Sequence, residues 1–216
     1  MKHKNRKGNF CIIIGLLLIA AALSLTIYNK WDEKRAGETA QLTLQQLQAV
    51  QNEQAQVSGE LSEGDVLTPD GSIIPEYLLN PGKDMPIVEI DGNGYIGVLS
   101  LPTLGLALPV MDDWSYERLR TSPCRYAGSA YTNDLIICAH NYEEHFGRID
   151  ELQLGDEVRF TDTEGHEFVY VVVEMELLGP TAIDAMKSGQ WDLTLYTCTL
   201  GGQQRVTIRC EQQLYN

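Results

Sequence analysis

The sequence after Pro86 predicts a mainly β domain, either a barrel or a sandwich. Short apolar and β-branched runs recur there, and Gly, Pro and Asp separate them. The clearest hairpin joins residues 157–161 to 166–178 through Asp-Thr-Glu-Gly, and Val and Tyr, which favour strands, dominate its second strand. Residues 115–120 and 181–187 have the pattern of short helical connectors. The other predicted strands are residues 95–101, 106–110, 135–140, 192–198 and 205–210.

An uncharged apolar run covers residues 10–28 near the N-terminus. Its 19 residues, at about 1.5 Å each in a helix, just cross a bilayer core, so the run predicts a transmembrane anchor. The preceding tail, residues 1–9, is basic, and positive flanks stay in the cytoplasm. We therefore expect a single-pass protein of the cell membrane with a cytoplasmic N-terminus and an extracytoplasmic domain.

A cleaved signal peptide is the alternative for this run, because Ala20, Ala21 and Ala22 are the small residues that a cleavage site requires. Cys11 lies early inside the run rather than behind it, which argues against a lipoprotein cleavage site.

The formal net charge is −14, and removing the four positive charges of the N-terminal tail leaves −18 for the rest of the chain. A surface this acidic repels phosphate backbones, so nucleic acid is not an expected partner. The basic residues of the tail are Lys2, Lys4, Arg6 and Lys7.

Residues 29–85 are expected to form a stalk that is partly helical, ahead of a catalytic domain at 86–216. Leu42, Leu47, Val50 and Val57 recur at roughly helical spacing, which favours a juxtamembrane helix. A Gln-rich, solvated spacer is the alternative. Turn residues dominate from Gly59 onward.

Four cysteines, Cys124, Cys138, Cys198 and Cys210, follow the anchor. A domain with this much apolar sequence does not require a disulfide framework, so at least one functional thiol is plausible. Cys124, Cys138 and Cys210 are expected to be ordinary core thiols, and the external compartment alone motivates the alternative hypothesis of a Cys124–Cys210 disulfide.

The segment from Thr194 to Arg209 carries the most chemistry. If Gly201-Gly202 is a two-residue hairpin turn, Cys198 lies directly opposite Arg205, with Cβ atoms about 4.5–5.5 Å apart. A guanidinium beside a thiol favours the reactive thiolate and can hold a substrate carbonyl. Arg209, four residues further on, is about 13 Å away. The alternative is a surface Arg beside an inert, buried Cys.

A thiol nucleophile also needs a base, and the chain has four histidines. His3 precedes the anchor, and His166 follows a turn. His140 ends an apolar strand that would deliver it to the rim of a barrel, whereas His145 lies in a polar loop where solvent exposure is the simpler interpretation. A metal site built from Cys138, His140, His145 and Glu143 or Glu144 lacks a recognised ligand spacing.

The strand Thr-Leu-Tyr-Thr-Cys at 194–198, the Arg that opens the next strand and the upstream Ala-His-Asn at 139–141 together resemble the sortases, over residues 87–211. The resemblance implies a closed β-barrel of about eight strands. It further implies that Cys198 is the nucleophile, His140 the general acid and base, and Arg205 the residue that holds the substrate. Thr197 is implied as a second substrate-binding residue.

Enzymes of this family cleave an L-P-x-T-G-like sorting signal of secreted surface proteins through a thioester. They then transfer the acyl group to an amine of a peptidoglycan precursor or a pilin. No cofactor and no metal ligand is assigned among the expected site residues, and the sequence does not disclose whether a metal activates the enzyme. The chain shows neither an Asp-Pro-Phe/Trp lid nor a second, C-terminal membrane segment, and both omissions favour surface-protein attachment over pilus building. A cysteine hydrolase and a non-catalytic, membrane-anchored binding domain are the alternative functions.

Overall fold

The computed structural model describes residues 6–57, 66–67, 73–80 and 82–213. The chain forms two compact units, Met1–Arg35 and Ala36–Asn216. A first helix, α1 (Arg6–Val57), contributes residues to both units.

The first unit is the apolar part of α1. Among the described residues, α1 is the one helix long and apolar enough to cross a membrane, as judged by length and composition, and its most apolar window has a mean hydropathy of 2.8. Ser24 and Thr26 donate hydroxyl hydrogen bonds to the carbonyls of Ala20 and Ala22, at 2.8 and 3.0 Å, so these hydroxyls are satisfied within the helix. Trp31 ends the apolar stretch beside Tyr28, with ring centroids 6.4 Å apart.

The second unit begins with the remainder of α1, which is helical rather than an irregular spacer. Its buried face consists of Ala36, Ala40, Thr43 and Leu47, spaced by four, three and four residues. The apolar stripe expected from the sequence is wrong in part, because Leu42 is exposed. Small side chains at 36 and 40 let the helix approach its neighbours closely, which a pattern of large apolar residues does not reveal.

Eleven strands and two further short α-helices follow in the described residues. The helices are α2 (Glu76–Leu79) and α3 (Ile183–Met186), and 3-10 turns lie at Pro102–Leu104, Arg118–Arg120 and Ile149–Glu151. The strands are β1 (Val66–Leu67), β2 (Ile73–Ile74), β3 (Val88–Ile90), β4 (Asn93–Leu101), β5 (Leu106–Met111), β6 (Cys124–Ala127), β7 (Leu135–Cys138), β8 (Glu157–Asp162), β9 (Glu167–Leu178), β10 (Leu193–Cys198) and β11 (Arg205–Gln212).

Eight of these strands close into a barrel. Their order is β4-β5-β6-β7-β10-β11-β9-β8, and β8 pairs back onto β4. The pairs β5–β6 and β7–β10 are parallel, whereas the other pairs of the ring are antiparallel. The mainly β prediction is confirmed, and it is a barrel rather than a sandwich.

The two faces of the barrel have separate apolar clusters. The interior cluster includes Leu135, Ile137, Leu193, Leu195 and Cys210. The exterior cluster joins Leu47 of α1 to residues on the outer face of the sheet, namely Ile90, Tyr95, Met111, Cys124 and Cys138. The part of α1 that belongs to the second unit therefore packs on the outer face of the barrel at Leu47.

The hypothesis of a Cys124–Cys210 disulfide is wrong, because both cysteines are free. Strands β7 and β10 lie between β6, which carries Cys124, and β11, which carries Cys210. Three strand spacings of about 4.8 Å exceed the roughly 7 Å between Cα atoms that a disulfide tolerates. The two thiols also belong to opposite faces of the barrel.

Candidate active site

Cys198 ends β10 and lies directly opposite Arg205, the first residue of β11. The register is the one expected from the sequence, from Leu193↔Cys210 to Cys198↔Arg205. Thr199 donates its N–H to the Gln204 carbonyl at 3.0 Å, so Cys198 and Arg205 form the next, non-hydrogen-bonded pair, in which side chains are closer. Cys198 is exposed, whereas the other cysteines of the second unit are buried.

The connection after Cys198 differs from the predicted two-residue turn. The Gly202 N–H donates to the Thr199 carbonyl at 2.8 Å, which places Leu200 and Gly201 at the centre of the turn. Gly201 and Gly202 both have positive φ, at 87° and 71°. The strands consequently separate one step earlier than expected, and residues 200–203 form a four-residue loop.

His140 follows the end of β7, which pairs in parallel with β10. The ladder matches Cys138 with Tyr196, and continuing it by two residues sets His140 beside Cys198. The Ala139 N–H donates to the Tyr196 carbonyl at 3.2 Å, so the two chains stay adjacent beyond the strand end. Because side chains alternate, His140 and Cys198 share the outer face.

The structure thus pairs Cys198 with Arg205 on adjacent strands, and His140, two residues past the end of β7, follows on the other side of Cys198. Neighbouring strands are about 4.8 Å apart. A thiol flanked by an imidazole and a guanidinium can attack a carbonyl, exchange protons and stabilise an oxyanion.

Arg205 rests on the hairpin loop. Its Nη1 donates to the carbonyls of Gly202 and Gln204, at 3.1 and 3.3 Å. These bonds hold the guanidinium at the rim and use one of its nitrogens, so the other N–H donors are open to a substrate.

Thr197, which the resemblance implies as a second substrate-binding residue, precedes Cys198 on β10. Its side chain is buried on the face opposite Cys198, and its hydroxyl donates to the Ala139 carbonyl at 2.9 Å. The side chain is therefore turned away from a substrate on the outer face. It ties the strand that carries Cys198 to the residue before His140.

Two rings in the loop after His140 differ from the expectation from the sequence. Tyr142 was not predicted to belong to the site, and His145 was predicted to be exposed. Tyr142 stacks on His140, with ring centroids 4.0 Å apart and an interplanar angle of 13°. His145, expected in solvent, is fully buried. Burial, and to a smaller extent the nearby His140, lowers the pKa of His145 from 6.5 to about 4. The apolar Phe146 beside it was the available signal that this part of the loop turns inward.

Burial separates the remaining thiols of the second unit from Cys198. It raises the pKa of Cys138 to about 12 and raises the pKa values of Cys124 and Cys210 well above their usual range. These three thiols stay protonated at neutral pH, so they are core residues.

A pocket of about 210 Å³ opens on the same outer face, four residues before Cys198 along β10. Its walls include Ile136, Thr194, Met186, Lys187 and Trp191. Tyr196 lies between Thr194 and Cys198 on this face. The Cα atoms of Cys198 and Thr194 are about 13 Å apart along the strand, at about 3.3 Å per residue.

Arg209 borders this pocket and is almost fully buried. Its guanidinium donates to the carbonyls of Ala185 and Met186 at 2.7 and 3.1 Å, and to Glu176 at 2.8 Å. Arg209 therefore fastens the connection that carries α3 to the barrel, and it is not placed to serve the thiol.

The other histidine of the barrel and the metal hypothesis lie outside this arrangement. The ring of His166 bonds to the buried carboxylate of Asp162 at 2.9 Å. In the described part of the chain, no group of three or more His, Cys, Asp or Glu could hold a metal ion, and this includes Cys138, His140 and His145 with Glu143 or Glu144.

The barrel carries an exposed thiol, Cys198, directly opposite the guanidinium of Arg205. The model of the sortase domain matches residues 99–213, which is more than half of the chain. The chain belongs to the sortase family and is a cysteine transpeptidase. Comparison with curated protein sequences finds no match.

Solved sortase structures share the fold. Sortase C from Clostridium perfringens SM101 is 20% identical, with a TM-score of 0.50 over 89% of this chain and 99% of that one. Sortase C1 from Streptococcus agalactiae is 22% identical, with a TM-score of 0.51 over 65% and 77%. A sortase D5 transpeptidase from Clostridium perfringens is 21% identical, with a TM-score of 0.50 over 58% and 83%. At these identities the likeness concerns the fold.

Proposed function

We propose that this sortase cleaves an L-P-x-T-G-like sorting signal of secreted surface proteins and joins the new acyl end to an amine. Cys198 is the nucleophile, His140 the general acid and base, and Arg205 the donor that holds the substrate carbonyl. The observation that carries the proposal is the pairing of an exposed Cys198 with Arg205, beside the strand whose end is followed by His140.

The reaction has two halves. The sulfur of Cys198 attacks the carbonyl carbon of the scissile amide, and its proton passes through His140 to the leaving nitrogen. The attack gives a tetrahedral intermediate, whose negatively charged oxygen the Arg205 guanidinium stabilises. The C–N bond then breaks and leaves a thioester on Cys198. An acceptor amine then attacks the thioester, gives its extra proton to His140 and releases the thiol. The chemistry requires no cofactor.

The outer face suits an extended peptide. Three to four extended residues reach from Cys198 to the pocket beside Thr194, since each residue spans about 3.3 Å. The walls Ile136, Met186 and Trp191 are apolar. An apolar side chain three or four residues before the scissile bond, as at the start of an L-P-x-T-G-like signal, would enter that pocket.

We place the enzyme on the outer side of the cell membrane, with α1 crossing the bilayer once. The apolar stretch of α1 and its terminal Trp31 suit a membrane span with an aromatic residue at its interface. The basic tail favours a cytoplasmic N-terminus. The acceptor would be an amine of a peptidoglycan precursor or a pilin.

The test is product analysis with the full-length protein in detergent. An L-P-x-T-G-like peptide is incubated with and without an amine acceptor, and product masses are measured. We expect an acceptor-dependent amide product from the wild type, and loss of cleavage in Cys198→Ala and His140→Ala. Arg205→Lys keeps the positive charge but removes the planar pair of N–H donors, so we expect it to abolish most of the cleavage rate. Arg159→Lys, at a partly exposed surface position, is the control and should leave the cleavage rate unchanged.

Two outcomes favour the alternative functions. Only hydrolysed peptide, whatever the acceptor concentration, identifies a cysteine hydrolase. Peptide that is bound but never cleaved by the wild type identifies a binding domain.

A further inference from the structure

We propose that Tyr142 is a positioning residue for His140, holding the imidazole at the angle from which it faces Cys198. This inference rests on the proposed role of His140. The two rings lie almost parallel, at 13°, with centroids 4.0 Å apart. Contact at that distance between flat faces restricts rotation of the imidazole about its side-chain bonds.

The backbone of the loop fixes the ring of Tyr142 in turn. The Tyr142 carbonyl accepts N–H groups from His145 and Gly147, at 2.9 and 2.8 Å, and the His140 carbonyl accepts the Phe146 N–H at 3.2 Å. A Cβ at position 147 would lie 2.7 Å from the carbonyl oxygens of Asn141 and Tyr142, so this turn requires glycine. The loop is therefore closed on itself by three backbone bonds.

The core anchors the same loop from below. Phe146 is fully buried in the interior cluster, and His145 beside it is fully buried as well. The ring of His145 lies 5.6 Å from that of Tyr142, on the far side of the loop from solvent. Tyr142 thus contacts the imidazole of His140 and lies close to the fully buried ring of His145.

The stack limits the orientations in which the imidazole can accept the proton of the Cys198 thiol. The imidazolium of His140 is the partner that a Cys198 thiolate needs at neutral pH. Loss of the ring should consequently lower the reactivity of the Cys198 thiol as well as the rate of turnover. We expect substrate affinity to change little, because the ring stacks on the imidazole and does not line the pocket beside Thr194.

The experiment compares Tyr142→Phe and Tyr142→Leu in the full-length protein. The rate of Cys198 alkylation by iodoacetamide at pH 7 is measured by peptide mapping, which separates it from the other cysteines. We expect Tyr142→Phe to match the wild type, since it keeps the stack, and Tyr142→Leu to react about three- to tenfold more slowly. Tyr116→Leu, at an exposed tyrosine, is the control and should match the wild type.

Turnover of the peptide adds a second reading. In Tyr142→Leu we expect kcat to fall by about the same factor, with KM within about twofold. Wild-type alkylation in a folded Tyr142→Leu protein would overturn the inference. If Tyr142→Leu unfolds, Tyr142→Met, which keeps side-chain volume without a ring, decides the question by the same measurement. A wild-type enzyme that fails on the peptide would count against the proposed function, while the alkylation ratio would still decide the role of Tyr142.

Discussion

The hydroxyl of Thr197 donates a 2.9 Å hydrogen bond to the carbonyl of Ala139, and this bond joins the strand of Cys198 to the residue that precedes His140. Both partners are buried. We predict that Thr197→Val, which keeps the shape and removes the donor, lowers the free energy of unfolding by about 1–2 kcal/mol. It should also slow turnover several-fold, because the two strand ends lose their register. Denaturant unfolding and peptide kinetics measure these effects.

Thr103→Val provides the control, since Thr103 is exposed in a 3-10 turn. Equal stability of Thr197→Val and Thr103→Val would show that the buried bond contributes nothing.

The buried His145 should make stability depend on pH. Its pKa is about 4 in the folded protein and about 6.5 when unfolded, so the unfolded chain takes up a proton first as the pH falls. The contribution of the neutral His145 ring to the free energy of unfolding is fully present above about pH 6.5. It is lost as the pH falls from about 6.5 to 4, because only the unfolded chain binds the proton in that range. The loss amounts to roughly 3 kcal/mol.

His145→Phe removes the titrating group and tests this prediction. The difference in unfolding free energy between the variant and the wild type should grow in favour of the variant as the pH falls from 7 to 4. A difference that stays constant over this range would mean that His145 is not buried in its neutral form.

Gly37 of α1 packs against Glu144, which lies in the loop that follows His140 (residues 141–148, the histidine loop). A Cβ at position 37 would lie 2.9 Å from the Glu144 Cγ and 3.0 Å from its Cβ, closer than such atoms normally approach. We predict that Gly37→Ala is less favourable in the wild type than in a Glu144→Gly background, which removes both the Cβ and the Cγ of residue 144, by about 0.5–1 kcal/mol. A double-mutant cycle of unfolding free energies isolates this coupling from the gain in helix propensity. A coupling of zero would place the two residues out of contact.

Arg209 should matter for stability far more than an exposed arginine does. Its side chain is 2% exposed and donates hydrogen bonds to Glu176, to the Thr194 hydroxyl and to two backbone carbonyls. Arg209→Met should cost about 3–5 kcal/mol, because it leaves buried acceptors without a donor. Arg159→Met breaks ion pairs of a side chain that is 41% exposed and should cost less than about 1 kcal/mol. Similar losses in the two variants would contradict the structural role of Arg209.

For the strand that carries Cys198, the alternation of side chains between the two faces is enough to predict the strand pairing but not the turn that follows. Because side chains alternate, the register that pairs Cys198 with Arg205 could be predicted from residue numbers, and the ladder has that register. The same alternation assigns Thr197 to the opposite face, so its orientation was available from the sequence as well. The loop between the strands was not, because two glycines permit several turn types and the register alone does not select one.

The histidine loop shows what a local pattern omits. The segment Asn-Tyr-Glu-Glu-His is polar and predicts a solvent-exposed loop. His145 is nevertheless buried, because the adjacent Phe146 packs into the interior cluster. The stack of Tyr142 on His140 depends on a turn closed by backbone bonds. Contacts between residues in such a turn follow from three-dimensional closure, which residue spacing does not encode.

The most direct test of the central claim is to trap the acyl-enzyme. The full-length protein is mixed with an L-P-x-T-G-like peptide, quenched in acid and examined by intact-protein and peptide mass spectrometry. We predict an adduct with the mass of the acyl fragment, on the peptide that contains Cys198, released by hydroxylamine and absent from Cys198→Ala. An adduct that persists in Cys198→Ala, or that maps to another residue, would contradict the assignment of Cys198 as the nucleophile.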